Sequence, residues 1–307
     1  MTEPLGVGLD YFDLNFLGTP DVIATGLLTG ADGVALIDPG PSTTMATLKS
    51  ALKARGASLA DVRGILLTHI HLDHAGATGS LLAECPSATV FVHEVGAPHL
   101  VDPSKLLASA TRLYGADMQR LWGDVRPVPS DRIQIVGDGR IQVLGHSIDV
   151  AKTPGHASHH VSYFLPDAGV AFVGDTAGLC RGSGRVVLPA TPPPDVDLDA
   201  WRASTQRILA WHPDVLFLTH FGPHPSPTGH FSDFWARVED WSRRVRAQLQ
   251  QPGEDADRAR AFGEAVLAEL TRAIGSEEAH AYVKAGRFDF SWNGLARYWR
   301  KQAGATS

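Results

Sequence analysis

The chain has two cysteines in 307 residues, and that scarcity excludes a disulfide framework and a thiolate zinc site. Cys85 and Cys180 are far apart and neither belongs to a C-x-x-C pair. Cys85, beside Pro86 and after Leu81-Leu82-Ala83, reads as a small buried apolar residue. Cys180 reads the same way, with a place near a functional site as its alternative. Basic residues are not in excess: 27 Lys and Arg stand against 33 Asp and Glu, interspersed along the chain, for a net charge of -6. That balance argues against a nucleic-acid or membrane-surface partner. Long apolar runs are also missing, and no stretch approaches the roughly twenty residues needed to cross a bilayer. Met1 to Asn15 has no basic segment followed by an apolar run, so no secretory signal is expected and the expected location is the cytoplasm. The remaining composition is that of an ordinary soluble globular protein, long enough for one large domain or a domain with a substantial appendage.

Ligand-forming side chains, by contrast, are crowded into one place. His69-Ile70-His71-Leu72-Asp73-His74 sets four good metal ligands within six positions, between the apolar run Ile65-Leu66-Leu67-Thr68 and the small-residue segment Ala75-Gly76-Ala77-Thr78-Gly79. The apolar run reads as a buried strand, so the ligands sit where a strand ends and a helix can begin. In extended backbone His69 and His71 point to the same side. Asp73 and His74 lie past the turn and can face a second point, a geometry that suits two metals better than one.

The surrounding pattern is α/β. Val22-Ile23-Ala24 and Gly26-Leu27-Leu28, then Ala31-Asp32-Gly33, then Val34-Ala35-Leu36-Ile37 predict a hairpin. Ser42 to Arg55 predicts a helix, with Met45, Leu48 and Leu52 on one face, Ser42 or Thr43 as N-cap and Gly56 as the stop. Ala88 to Val92 is a further strand. Residues 98–124 form a helical insertion, either a surface helical pair or a lid whose apolar face meets substrate. Three short strands between Arg132 and Val150 predict a meander or half of a sandwich. Val170-Ala171-Phe172-Val173 and Val215-Leu216-Phe217-Leu218 are later buried strands, and Pro192-Pro193-Pro194 marks a rigid loop before a helix over about Asp199 to Ala210. From Phe231 onward only helical stripes remain, ending in a short helix near Gly294 to Lys301. The expected division is a core over 1–230 and a helical region over 231–307, the latter packed on the core or, in a homodimer, on a second subunit.

Collected in order, the strand-end ligands are His69, His71, Asp73, His74, His156, Asp175 and His220. An H-x-H-x-D-H run, a later Thr153-Pro154-Gly155-His156, a later Gly174-Asp175 and a late strand-end His resemble the ordered motifs of the metallo-β-lactamase superfamily. Ile37-Asp38-Pro39-Gly40 is similar to that family's first motif, and the likeness spans about residues 20 to 225. The resemblance implies an αββα metallo-β-lactamase sandwich, here with a C-terminal helical extension similar to that of glyoxalase II-like members. It also implies that one metal takes His69, His71 and His156, that a second takes Asp73, His74 and His220, and that Asp175 bridges them. Asp38 fits a turn or a hydrogen-bond acceptor behind the ligands, and one of His159 and His160 fits the same supporting role.

The donor set is nitrogen and oxygen without thiolate, which suits zinc first and leaves iron or manganese open. A His/Asp set argues for a working site rather than a structural one. Two divalent ions about 3.5 to 4 Å apart can hold a bridging hydroxide and lower the pKa of water towards about 7. Such a hydroxide would attack an acyl carbonyl, with Asp73 as ligand and as proton shuttle to the leaving group. The expected activity is hydrolysis of an ester, thioester or lactone in a small-molecule substrate, within the glyoxalase II and lactonase-like branch. Acyl-homoserine lactonases place a tyrosine three residues after the bridging aspartate, where this chain has Gly178. The basic residues of glyoxalase II have only Arg181 and Arg185 as counterparts in the corresponding loop. The alternatives are a mononuclear-iron persulfide dioxygenase, whose R-T-D-F run is missing here, and a tRNA-processing phosphodiesterase, disfavoured by the acidic balance. His224 is expected on a solvated loop.

Overall fold

A computed structural model describes residues 5–182 and 186–305. One six-stranded sheet orders β1 (Leu9–Asp13), β2 (Ala24–Gly30), β3 (Gly33–Ile37), β4 (Val62–Leu66), β5 (Thr89–His93) and β6 (Ile133–Val136). A second six-stranded sheet orders β7 (Gly139–Val143), β8 (His146–Lys152), β9 (Val161–Leu165), β10 (Val170–Phe172), β11 (Val215–Leu218) and β12 (Gly222–His224). The β2–β3 hairpin turns at Ala31-Asp32 with Gly30 opposite Gly33, as the Asp-Gly signal predicts. From β3 to β6 the pairing is parallel, which needs crossovers, and α1 (Met45–Ala54) supplies the first of them. Alternation then divides each apolar run between two cores. Ala35, Ile37, Leu66 and Phe91 meet Tyr163, Phe172 and Phe217 between the sheets. Leu36, Ile65, Val90 and Val92 face outward onto Leu48 and Leu52 of α1. Leu216 and Leu218 on the far side of the second sheet pack with Trp201 and Ile208. The result is the expected αββα sandwich.

The ligand hexad leads into α2 (Leu72–Ala75) and α3 (Thr78–Leu82). The insertion folds as α4 (Ala97–Val101), α5 (Ser104–Tyr114) and α6 (Met118–Trp122). After the proline loop comes α7 (Leu198–Leu209), capped by Asp197, whose carboxylate accepts from the N–H groups of Asp199 and Ala200. The tail is α8 (Pro227–Leu249), α9 (Asp255–Ile274), α10 (Ser276–Ala285) and α11 (Phe288–Ala305). The expected division at residue 230 falls inside α8. Its first turns bury Phe231, Phe234 and Val238 against Trp201, and its later ones bury Trp241 and Val245 among α9, α10 and α11.

Three expectations are corrected. The helix from Ser42 begins as a 3-10 turn, Ser42–Thr44, with no side-chain cap. The hydroxyls of Ser42 and Thr43 donate instead to the carbonyls of Asp124 and Leu121, tying the insertion to the core. The stretch from Arg132 to Val150 is not one meander: β6 pairs with β5 in the first sheet and the chain crosses to the second before β7. The last helix starts at Phe288 rather than near Gly294, because Phe288, Trp292 and Leu295 form an apolar stripe that joins the tail core. Trp241 is the centre of that core, fully buried with its ring 5.3 Å from Phe262. Trp241→Ala is expected to cost about 3–5 kcal/mol of stability, read as a lowered denaturant midpoint of the full chain.

Candidate metal centre

All seven sequence-predicted ligands converge at one edge of the sandwich, each delivered by a strand end or the turn after it. His69 follows β4, His156 follows β8, Asp175 follows β10 and His220 follows β11. His71 is the residue before α2, while Asp73 and His74 lie in its first turn. His71 Nδ1 stands 3.0 Å from His69 Nε2 and 2.9 Å from His156 Nε2. On the other side, His220 Nε2 is 3.3 Å and His74 Nε2 is 3.9 Å from Asp73 Oδ2. Asp175 lies between the two groups: Oδ2 is 3.4 Å from His156 Nε2, and Oδ1 is 3.2 Å from His74 Nε2 and 3.7 Å from His220 Nε2.

The outer nitrogens fix which lone pairs face inward. A carbonyl only accepts, so His156 Nδ1 donates to Ala190 O at 2.7 Å and His220 Nδ1 to Val22 O at 2.6 Å, leaving both Nε2 lone pairs for the centre. His74 Nδ1 donates to Asp38 Oδ2 at 2.8 Å. Thr68 Oγ1 spends its proton on the same Asp38 oxygen, 2.7 Å away, so it accepts from His69 Nδ1 at 3.1 Å. Asp38 also takes the Thr68 N–H at 2.8 Å and the Thr219 hydroxyl at 2.7 Å, and so acts as the expected acceptor behind the ligands. Of the neighbouring pair, His160 is the supporting residue: its Nε2 accepts the Asp175 N–H at 3.3 Å and its Nδ1 lies 2.9 Å from Thr153 Oγ1. Gly155 lets His156 take its place, since a Cβ there, at φ 141, would stand 2.2 Å from Trp201 Cβ.

Burial pushes His69 far below the ordinary imidazole range, and the adjacent imidazoles add to this. Burial likewise takes His71 down to about 3, helped by His156. Burial opposes charge on Asp73, but His74 and His220 outweigh it and bring the carboxyl to about 2; Asp175 falls well below its usual range for the same reason. For His74 burial is outweighed by Asp175, Asp38 and Asp73, so it lies well above the ordinary value, and His220 is raised by Asp175 and Asp73 against the same burial. The residues fit a metal: buried His74 Nε2 and Asp175 Oδ1 have no hydrogen-bond partner, and a buried polar atom without a partner in the chain calls for one from outside it. Three mutually close ligand groups result, His69/His71/His156, His69/His74/Asp175 and Asp73/His74/His220.

Two cavities open on this cluster. The larger, about 420 Å³, reaches His71 and His156 and is walled by Leu106, Leu113 and Phe290 among others. The smaller, about 300 Å³, reaches His220 past Phe16, Leu121 and Lys284. The insertion thus packs on the core and also forms cavity wall. His99, which no sequence motif marks, lines the larger cavity, as do Arg287 and Phe288 where α11 begins. The only signals for these were the helical stripe of the insertion and the aromatic run before Gly294. Cys85 and Cys180 are buried in packing. His224 sits 4.9 Å from the His230 ring and lines neither cavity. Arg181 is a buried brace, its Nη1 donating to Pro20 O at 2.8 Å and its Nε 3.4 Å from Glu278 Oε1, so it is no substrate contact. Arg185 lies outside the described residues.

Residues 18–220 match the sequence profile of the metallo-beta-lactamase superfamily, and the chain belongs to that family. Family and His/Asp clusters together define a metal-dependent hydrolase. Of known proteins, the chain is similar to the metallo-beta-lactamase fold-containing protein ST1585 of Sulfurisphaera tokodaii, 29% identical over 208 residues, 66% of this chain and 74% of that one. It is also similar to a hydroxyacylglutathione hydrolase of Albidiferax ferrireducens, 26% identical over 223 residues, 71% of each. In fold it matches the metallo-beta-lactamase family protein TTHA1429 of Thermus thermophilus, with a TM-score of 0.71 at 23% identity over 97% of this chain and 95% of that one. Among the described residues no helix is long and apolar enough to cross a membrane.

Two outcomes follow from the electrostatics. Asp38→Ala removes the acceptor that orients His74, so metal affinity is expected to fall about 10–100-fold, measured by competition with a chromophoric chelator. His74 and His220 have raised pKa values, so the metal-free protein holds more protons on them than free imidazoles would. Metal uptake must therefore release protons, more of them as pH falls below those raised values, and apparent affinity must rise with pH. Calorimetric titration in buffers of different ionisation heat reads the release directly; the same heat in every buffer would contradict it.

Proposed function

We propose that the protein hydrolyses an ester, thioester or lactone bond in a small molecule, using two divalent ions, zinc before iron or manganese. The observation that carries this reading is the orientation of Asp175. One of its oxygens faces His156 of the His69/His71/His156 group, and the other faces His74 and His220 of the Asp73 group. A carboxylate shared in this way between two ligand clusters is what a two-metal site needs. Bound ions would supply Lewis acidity towards the acyl oxygen and activate water near neutral pH.

The chain's own side chains supply the rest. His69, His71 and His156 would hold one ion, Asp73, His74 and His220 the other, with His69, His74, His156 and His220 oriented from behind. Asp73 is about one quarter exposed, at 23%, whereas His74 beside it is sealed. Its carboxylate thus faces the cavities and can carry a proton to the departing group. A roofed cavity of about 420 Å³ fits a small molecule, and the net charge of -6 gives no attraction for nucleic acid. The relative named a hydroxyacylglutathione hydrolase supports an acyl bond as the target.

The test is metal content of protein purified without added metal, together with turnover on an ester, thioester and lactone panel. Two ions per chain are expected, with turnover abolished by chelation and restored by add-back. Asp73→Asn is expected to lower kcat by roughly 10²–10⁴-fold. A single iron with oxygen consumed alongside a persulfide would overturn the reading.

A further inference from the structure

We propose that the Tyr114 hydroxyl, presented by α5 on the wall shared by the two cavities, donates a hydrogen bond to the acyl oxygen of the bond being cut. The proposal rests on the hydrolase reading above. Tyr114 lines both the 420 Å³ and the 300 Å³ cavity, and so does Asp73 of the metal cluster. A molecule reacting beside Asp73, with a group in each cavity, therefore has its central atoms against this shared wall.

The hydroxyl is unused by the protein. The fully buried tyrosines spend theirs on carbonyls, Tyr163 on Leu67 O at 2.8 Å and Tyr282 on Val186 O at 2.7 Å. Tyr114 has no hydrogen-bond partner among the described residues, and its side chain is part of the lining of both cavities. A largely buried phenol ordinarily finds an acceptor, and here the acceptor must be brought in. Two other donors share the wall. Trp122 Nε1 is sealed from the cavity, and the Arg287 guanidinium is held by Asp289 through Nε at 2.9 Å and Nη2 at 2.7 Å, which leaves Nη1 as a second donor beside the phenol.

Position and protonation also suit a donor. The Tyr114 ring is wedged between Trp122, at 5.1 Å, and Phe290, at 5.5 Å, both edge-on. Side chains from α6 and α11 thus fix its aim. Burial, with Asp73 adding to it, raises its pKa, so the phenol keeps its proton. The interaction forms no covalent bond and moves no proton: the O–H stays on Tyr114 while charge develops on the acyl oxygen.

Tyr114→Phe keeps the ring and its packing and removes only the oxygen. With whichever panel substrate the wild type turns over, kcat is expected to fall roughly 10²-fold, with KM within about threefold, and with metal content and melting temperature unchanged. A tetrahedral phosphonate analogue of that substrate is expected to bind at least about tenfold more weakly by calorimetry, while the carboxylate product binds equally to both proteins. Wild-type kcat in the variant, a loss confined to KM, or loss of metal would overturn the proposal. A wild type inactive on every substrate would instead sink the hydrolase reading, and equal affinity of the two proteins for a phosphonate analogue of the panel's ester would then still overturn this one.

Discussion

The fold and the site meet in one buried carboxylate. Asp38 ends β3, is 1% exposed and accepts hydrogen bonds from the Thr68 backbone and hydroxyl, the Thr219 hydroxyl and His74 Nδ1. Thr68 lies just past β4 of the first sheet and Thr219 just past β11 of the second, so one side chain joins the two sheets where they present ligands. A buried carboxylate is tolerated only when its lone pairs are filled. Asp38 fills them with the groups that set the positions of His69, His74 and His220. Its backbone is in the left-handed region, at φ 50, a conformation a short polar residue tolerates better than a bulky one. The carboxylate thus makes the sheet-to-sheet contact and the ligand geometry one constraint.

Close packing around the ligand loops tightens the same constraint. At Gly174, φ 47, a Cβ would stand 2.5 Å from Thr68 Oγ1 and 2.6 Å from His160 Nε2. The turn before Asp175 therefore lies directly on the residues that orient His69 and Asp175. Trp201 of α7 abuts Gly155 and donates from Nε1 to Thr176 O at 2.7 Å, so one side chain braces the loops of both His156 and Asp175. Preorganisation here comes from backbone packing as much as from hydrogen bonds.

The ligands were legible in sequence because they sit in short motifs at or just past strand ends, His69 to His74, Thr153 to His156, Gly174-Asp175 and His220, whose order resembles that of the family. Asp38 and His160 were legible only as candidates, since their partners lie on other strands. The missed features share one cause, which is tertiary competition with a local rule. Ser42 and Thr43 have the composition of a cap, yet Asp124 and Leu121 offer them carbonyls. The two residues Gly137 and Asp138 between β6 and β7 carry no mark that the chain changes sheets. Phe288 to Trp292 takes the helical period of the core it enters, ahead of the helix start expected near Gly294. The cavities could not be read at all, because their walls come from α5, α6, the proline loop and α11, far apart along the chain.

The C-terminal helices therefore do more than cover apolar surface. The loop after Asp175 runs past Cys180, whose N–H donates to His220 O at 2.6 Å, and past Arg181, whose N–H donates to Tyr282 OH at 2.8 Å. Tyr282 belongs to α10 and its hydroxyl returns to Val186 O on the same loop. Arg181 in turn reaches Pro20 O, two residues before the Val22 carbonyl that orients His220. One side of the metal cluster is thus held through a loop that α10 grips, while α11 places Phe290 against Tyr114 in the cavity wall. Changes in the tail would act on the site by two separable routes, ligand orientation through α10 and cavity shape through α11. The sandwich supplies the ligands, and the insertion and tail helices supply walls of the cavities that open on them.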